Sequence, residues 1–137
     1  MDDKVSLDFT IISRRLKSLS LPAVDYVVGI ATGGIVPACL IAHQLDKPLA
    51  LMHIQHRAKD NTPIYEPPLL VTSPNLPVEA RRILLVDDVC VSGKTMQIAK
   101  QVLGDRNITT LVMKGAADHV LFPEIAACVN WPWKLTR

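Results

Sequence analysis

Residues 83–96, ILLVDDVCVSGKTM, decide the fold. Four apolar residues, 83–86, form the short β-rich run expected of a strand buried in a parallel sheet. Asp87 and Asp88 stand at its end. A small-residue loop with Ser92 and Gly93 follows, and a helix is predicted to open at Lys94 or Thr95. A strand that hands over to a helix in this way points free backbone N–H groups at one spot. The helix dipole and those unpaired donors make the spot suit a phosphate. The two carboxylates repel a phosphate, so their targets are hydroxyls or a divalent cation. A sugar phosphate satisfies both halves: the loop takes the phosphate, and Asp87 and Asp88 take ribose hydroxyls and a Mg2+ shell. The triphosphate loop is excluded. Gly93-Lys94-Thr95 reads GKT, but the glycine required five residues earlier is Asp88.

A second unit of the same kind lies upstream. Residues 26–30, YVVGI, read as a buried strand that runs into Ala31-Thr32-Gly33-Gly34, and 35–45 read as a helix with Pro37 in its first turn. Glycines at that turn let backbone approach a ligand closely. By itself the pattern is also that of any tight strand-to-helix turn.

Working outward, residues 6–20 carry Phe9, Ile12, Leu16 and Leu19 at helical spacing. Ser6 is the expected cap and Pro22 the stop. Arg14, Arg15 and Lys17 lie largely off that stripe, as a solvated basic face. Residues 49–54 are a third apolar run. Residues 55–68, QHRAKDNTPIYEPP, show no period and read as a long loop of the length used for lids, with Arg57 and Lys59 able to meet a phosphate. His53 and His56 are two imidazoles without a third ligand and are given no metal role. Residues 96–103 continue the helix that opens at Lys94 or Thr95 to a stop at Gly104. Residues 109–113, TTLVM, are a strand with Lys114 at its end, and 126–130 are a last short strand before WPWK. Ligands in open α/β sheets collect beyond the carboxyl ends of strands. Residues 31–34, 87–95 and Lys114 all fall there, so one shared site is expected.

Composition narrows the class. The chain has 137 residues, 49% of them hydrophobic and 4% aromatic, enough for one domain with an aliphatic α/β core. A net charge of +2 gives no nucleic-acid-binding surface. Cys39, Cys90 and Cys128 match neither a metal pattern nor a disulfide framework, which fits a reducing compartment. The acidic start, MDDKVSLDFT, does not read as a secretory signal, and no apolar run reaches membrane-spanning length. A soluble cytoplasmic protein, with no membrane and no nucleic-acid partner, is expected.

VDDVCVSGKT resembles the phosphoribosyl-pyrophosphate-binding motif of type I phosphoribosyltransferases, and GIATGGIVPA resembles the pyrophosphate loop of the same family. The ending WPWK is similar to the F-P-W-acidic ending of bacterial xanthine-guanine phosphoribosyltransferases. The resemblance runs from about residue 24 onward and implies an α/β fold. That fold is a twisted parallel sheet flanked by helices, with a small hood from the chain ends. It implies transfer of phosphoribose from phosphoribosyl pyrophosphate to a nucleobase, with Mg2+ as cofactor.

The implied roles follow residue by residue. Thr32, Gly33 and Gly34 face the pyrophosphate. Asp87 and Asp88 hold the ribose, with Asp88 also at the Mg2+ water shell. Val89, Cys90, Val91, Ser92, Gly93, Lys94 and Thr95 cradle the 5′-phosphate. Lys114 reads the base, as a strand-end lysine does in 6-oxopurine enzymes. Trp131 either stacks on the base or plugs the core. The stacking aromatic of the xanthine-guanine enzymes aligns with Cys128.

Two departures bear on the substrate. Some purine-specific members have Arg at the place of Thr32. Many 6-oxopurine enzymes have an aspartate at the place of Val91, and a valine cannot shuttle a proton. Three functions follow: an oxopurine enzyme, an enzyme for another base, or a binding module without turnover. Homodimers are usual in the family, and no stretch of this chain marks an interface.

Overall fold

The computed structural model describes residues 4–55 and 68–134. Apolar runs without polar alternation cannot sit on a half-wetted surface, so they become strands covered on both faces. In chain order the elements are β1 (Val5–Ser6), α1 (Phe9–Lys17), β2 (Tyr26–Ala31), α2 (Ile35–Leu45), β3 (Leu49–Gln55), β4 (Leu69–Thr72), β5 (Arg82–Cys90), α3 (Lys94–Leu103), β6 (Asn107–Gly115), β7 (His119–Val120) and β8 (Val129–Asn130).

Six strands form one sheet in the order β4-β3-β2-β5-β6-β7. All neighbours run parallel except β4, which lies antiparallel on the edge of β3. Leu84 and Val86 of β5 face a core built with Ile12 and Leu16 of α1, Ala38 and Ile41 of α2, and Leu121, Phe122 and Trp131 of the C-terminal segment. Ile83 and Leu85 face the opposite core, with Met96, Ala99 and Leu103 of α3. The expected α/β architecture is therefore present as three layers. The hood is present too: β1 and β8, from the two ends of the chain, pair in parallel through Val5–Val129 and Ser6–Asn130.

Several boundaries differ from the sequence reading. Asp8, not Ser6, caps α1, accepting from the Ile11 N–H at 2.9 Å; Ser6 is used in β1. The helix stops at Lys17, well before Pro22, because Ser18 turns its N–H and hydroxyl onto carbonyls of the last turn. Strand β5 continues past the apolar run through both aspartates to Cys90, because β6 supplies a pairing edge that far. Strands β4 and β7 were not expected. Arg57, Lys59 and His56, and the loop read as a lid, lie outside the described residues, apart from Gln55 and Pro68 at its ends. Among the described residues no helix is long and apolar enough to cross a membrane.

Arg15 ties α1 to the C-terminal segment. Its guanidinium forks onto Glu124 at 2.8 and 3.2 Å, donates to the Leu121 carbonyl at 2.8 Å and lies 4.6 Å from the Phe122 ring centroid. A cation expected to be solvated is thus a structural strap.

Candidate functional site at the sheet switch point

From β2 the chain passes to β3 on one side and, later, to β5 on the other. The loops leaving β2 and β5 therefore diverge at their carboxyl ends and open a crevice, the usual ligand position in such sheets. The pairing of β2 with β5 ends at Gly29–Val86, so residues 31–34 and 87–95 lie beyond the last pair between the two strands.

The two loops touch. A Cβ on Gly33 would run into the Asp88 carboxylate, and one on Gly34 would meet the Ile30 and Val86 carbonyls at 2.6 and 2.7 Å. Both glycines are thus required for close approach. The Ala31–Thr32 peptide is cis. Neither α2 nor α3 has a side-chain hydrogen bond at its N-cap, Gly34 and Gly93, whereas α1 has one. Two helix starts with glycine at the N-cap, each following a strand of the central β2–β5 pair, form regions that favour an anion. Gly93 has φ +82 with open space around it, so glycine is needed there for backbone conformation alone.

The carboxylates organise the backbone as well as the crevice. Asp87 Oδ1 accepts from the Asp88 N–H at 2.8 Å, and Asp88 Oδ1 accepts from the Val89 N–H at 2.7 Å. Asp88 Oδ2 lies 3.6 Å from Lys134 Nζ, and the Asp88 side chain is 15% exposed. Burial, and next the charge of Asp88, hold the Asp87 carboxyl well above the usual carboxylate range. Burial, helped by Asp87, pushes the Cys90 thiol up.

Gly33 and Gly34 come up against Asp88 and Asp87, with Thr32 preceding them on the same loop. Ser92 and Gly93 lie in the loop before α3, and Lys94 and Thr95 in its first turn; Ser92 Oγ accepts from the Lys94 N–H at 3.3 Å. Val89 and Cys90 depart from the expected phosphate loop. They belong to β5, in register with Lys114 and Gly115, and the Val89 amide is already engaged by Asp88. Val91 is 85% exposed on the loop. Lys114 sits one strand away from the acidic pair, at the β6 end.

Trp131 is the correction. It is 3% exposed, its ring stacked on Trp133 at 5.3 Å and packed against Phe122. An indole so enclosed plugs the core that Leu84 and Val86 face and offers no open face to a base, because a protein with few aromatics fills this corner with the ones it has. Lys134 is the residue the sequence reading passed over. Its signal was present: a cation where the similar endings carry an acid.

The profile of the phosphoribosyl transferase domain family matches residues 11–116. The chain is 30% identical over 103 residues to the transcriptional regulator GfcR of Methanocella arvoryzae, covering 71% of this chain and 50% of that protein. It is 33% identical over 92 residues to the orotate phosphoribosyltransferase of Sulfurisphaera tokodaii, covering 65% and 43%. The chain thus spans about half the length of these curated relatives. In fold it is similar to a purine phosphoribosyltransferase of Pyrococcus horikoshii, with a TM-score of 0.80 at 24% identity over 100% of this chain and 97% of the other.

Proposed function

The chain belongs to the phosphoribosyl transferase domain family, and from that premise we propose that it is a pentosyltransferase. In this reading it joins a nucleobase to the anomeric carbon of phosphoribosyl pyrophosphate and releases pyrophosphate. The observation that carries the reading is the contact of the β2 loop with the β5 acidic pair, Gly33 against Asp88. It brings an anion cradle and two carboxylates to one crevice. A sugar carrying phosphate at one carbon and diphosphate at another has that pattern of charge and hydroxyls.

The roles divide along the crevice. Thr32, Gly33 and Gly34 take the diphosphate at the start of α2. Asp87 and Asp88 hold the ribose hydroxyls. Ser92, Gly93, Lys94 and Thr95 take the 5′-phosphate at the start of α3. Val89 and Cys90 extend the strand that aims the loop, and Val91 stands at its tip. Lys114 donates to an oxygen of the base, which favours a 6-oxopurine among the acceptors. It pairs in register with Val89, and in this reading that side of the site takes the base.

Asp88, with Asp87 beside it, offers the hard carboxylate oxygens that Mg2+ accepts, so the donor set fits the ion. When bound with the diphosphate, Mg2+ neutralises charge on the leaving group. The protein's own contribution is positioning and fixed electrostatics around an oxocarbenium-like centre. Three unpaired thiols, Cys39, Cys90 and Cys128, support a cytoplasmic site of action.

A second reading has its own support. Val91 is an exposed valine where a proton-shuttling acid stands in many oxopurine enzymes, and one relative is a transcriptional regulator by name. A regulatory module would keep the sugar-phosphate site and lack turnover. Assaying a panel of oxopurines, adenine and orotate with phosphoribosyl pyrophosphate and Mg2+ tests both. Nucleotide formation supports the enzyme and names its base. Binding of phosphoribosyl pyrophosphate without product supports the module, and absence of binding refutes both.

A further inference from the structure

The end of the described chain supplies a cation to the acidic pair. Trp131, Pro132, Trp133 and Lys134 form a turn closed by the Lys134 N–H on the Trp131 carbonyl at 3.1 Å. The turn is held from below. Trp131 is buried, its ring lies parallel to that of Trp133, and Phe9 of α1 packs on Trp133 at 6.1 Å. The Lys134 backbone is therefore fixed beside the crevice, and its side chain reaches Asp88 Oδ2 at 3.6 Å. A tethered ammonium has a high effective concentration at its partner. Two adjacent carboxylates repel, and a third charge of opposite sign relieves them whether it is a metal ion or an ammonium.

We infer that Lys134 is a positioning residue that acts as the resident counter-ion of Asp88, competing with a divalent cation for that carboxylate. The free protein then holds divalent ions weakly, and Lys134 must leave Asp88 when a metal-bound diphosphate arrives. The inference deepens the reading of Asp88 as a metal and sugar-diphosphate residue and rests on it.

Mn2+ titration followed by electron paramagnetic resonance tests it without sugar, base or turnover, so the outcome is independent of the proposed reaction. Lys134→Ala and Lys134→Gln should bind Mn2+ about fivefold more tightly than the unmodified protein, the size expected from losing one half-exposed competing charge. Lys134→Arg should stay at the unmodified affinity. The gain should vanish when Asp88→Asn is combined with Lys134→Ala. Unchanged affinity in a folded Lys134→Ala protein overturns the inference. So does an equal gain in Lys134→Arg, or a gain that survives Asp88→Asn.

Discussion

Gly33 and Asp88, remote in the chain, meet so closely that the glycine has no room for a methyl group: its Cβ would occupy the carboxylate. The contact joins the two strand ends at the switch point of the sheet. It also makes the acidic pair sensitive to a change on another loop.

Gly33→Ala should therefore displace Asp88 and cost about 1–3 kcal/mol of stability, the range for an overpacked site. Phosphoribosyl pyrophosphate affinity should fall about tenfold or more, since carboxylate bonds to ligand hydroxyls are each worth about 1.5–3 kcal/mol. Calorimetric binding alongside thermal melts checks this. Retained affinity would mean that Asp88 does not contact the ligand.

Asp87 trades stability for charge. Its pKa is raised by burial first and by Asp88 second, so the folded protein binds this proton more tightly than the unfolded chain. The penalty is absent below the ordinary carboxylate pKa, grows as pH rises and is complete above the raised value. Asp87→Asn should then melt at a higher temperature than the unmodified protein at neutral pH, with the gain shrinking toward pH 4. The same variant should lose ligand affinity. A neutral-pH melting point below that of the unmodified protein contradicts this assignment.

Asp25 behaves in the opposite sense. It accepts from the Arg81 and Arg82 amides at 3.1 and 2.8 Å and pairs with the Arg82 guanidinium at 2.8 Å. Arg82, through its side chain first, holds the Asp25 pKa down at about 2. Its stabilisation is fully present above the ordinary carboxylate value and is lost as pH falls toward 2. Asp25→Asn should be less stable than the unmodified protein at pH 7, and the two should converge near pH 2. Urea unfolding at the two pH values measures it.

Lys114→Ala should raise KM for an oxopurine by about tenfold to a hundredfold, the cost of one charge-assisted bond. Phosphoribosyl pyrophosphate affinity should change little if Lys114 reads the base as proposed. Steady-state kinetics with each substrate varied in turn separates the two. An equal loss for both would move Lys114 out of the base pocket.

Trp131→Ala should cost about 3–5 kcal/mol, as for other large core truncations, and Trp131→Phe much less. Denaturant unfolding gives the numbers. A mild effect on stability from Trp131→Ala, with loss of base binding, would restore the stacking role that its burial denies.

The local elements were legible because their signals are local. An apolar run of strand length, a glycine at a turn and Pro37 in a first turn act within a few residues, so β2, α2 and α3 lie where the pattern puts them. The acidic pair, followed by Ser92 and Gly93, could be read as a motif for the same reason: its residues are contiguous. The true end of β5 was not legible, because only the edge of β6 carries pairing to Cys90. The cap of α1 depended on Ser6 being claimed by β8. The fate of Trp131 depended on what surrounds it, which spacing does not encode.

What the sequence by itself determined, then, is the set of βα units and the two loops that follow β2 and β5. What only the tertiary structure decided is that those loops abut at Gly33 and Asp88, that Trp131 is interior, and that Lys134 faces a carboxylate from the far end of the chain. The physical reason is that propensity and periodicity act between near neighbours. Contacts between remote residues follow from strand order and side-chain packing, which exist only once the sheet has closed.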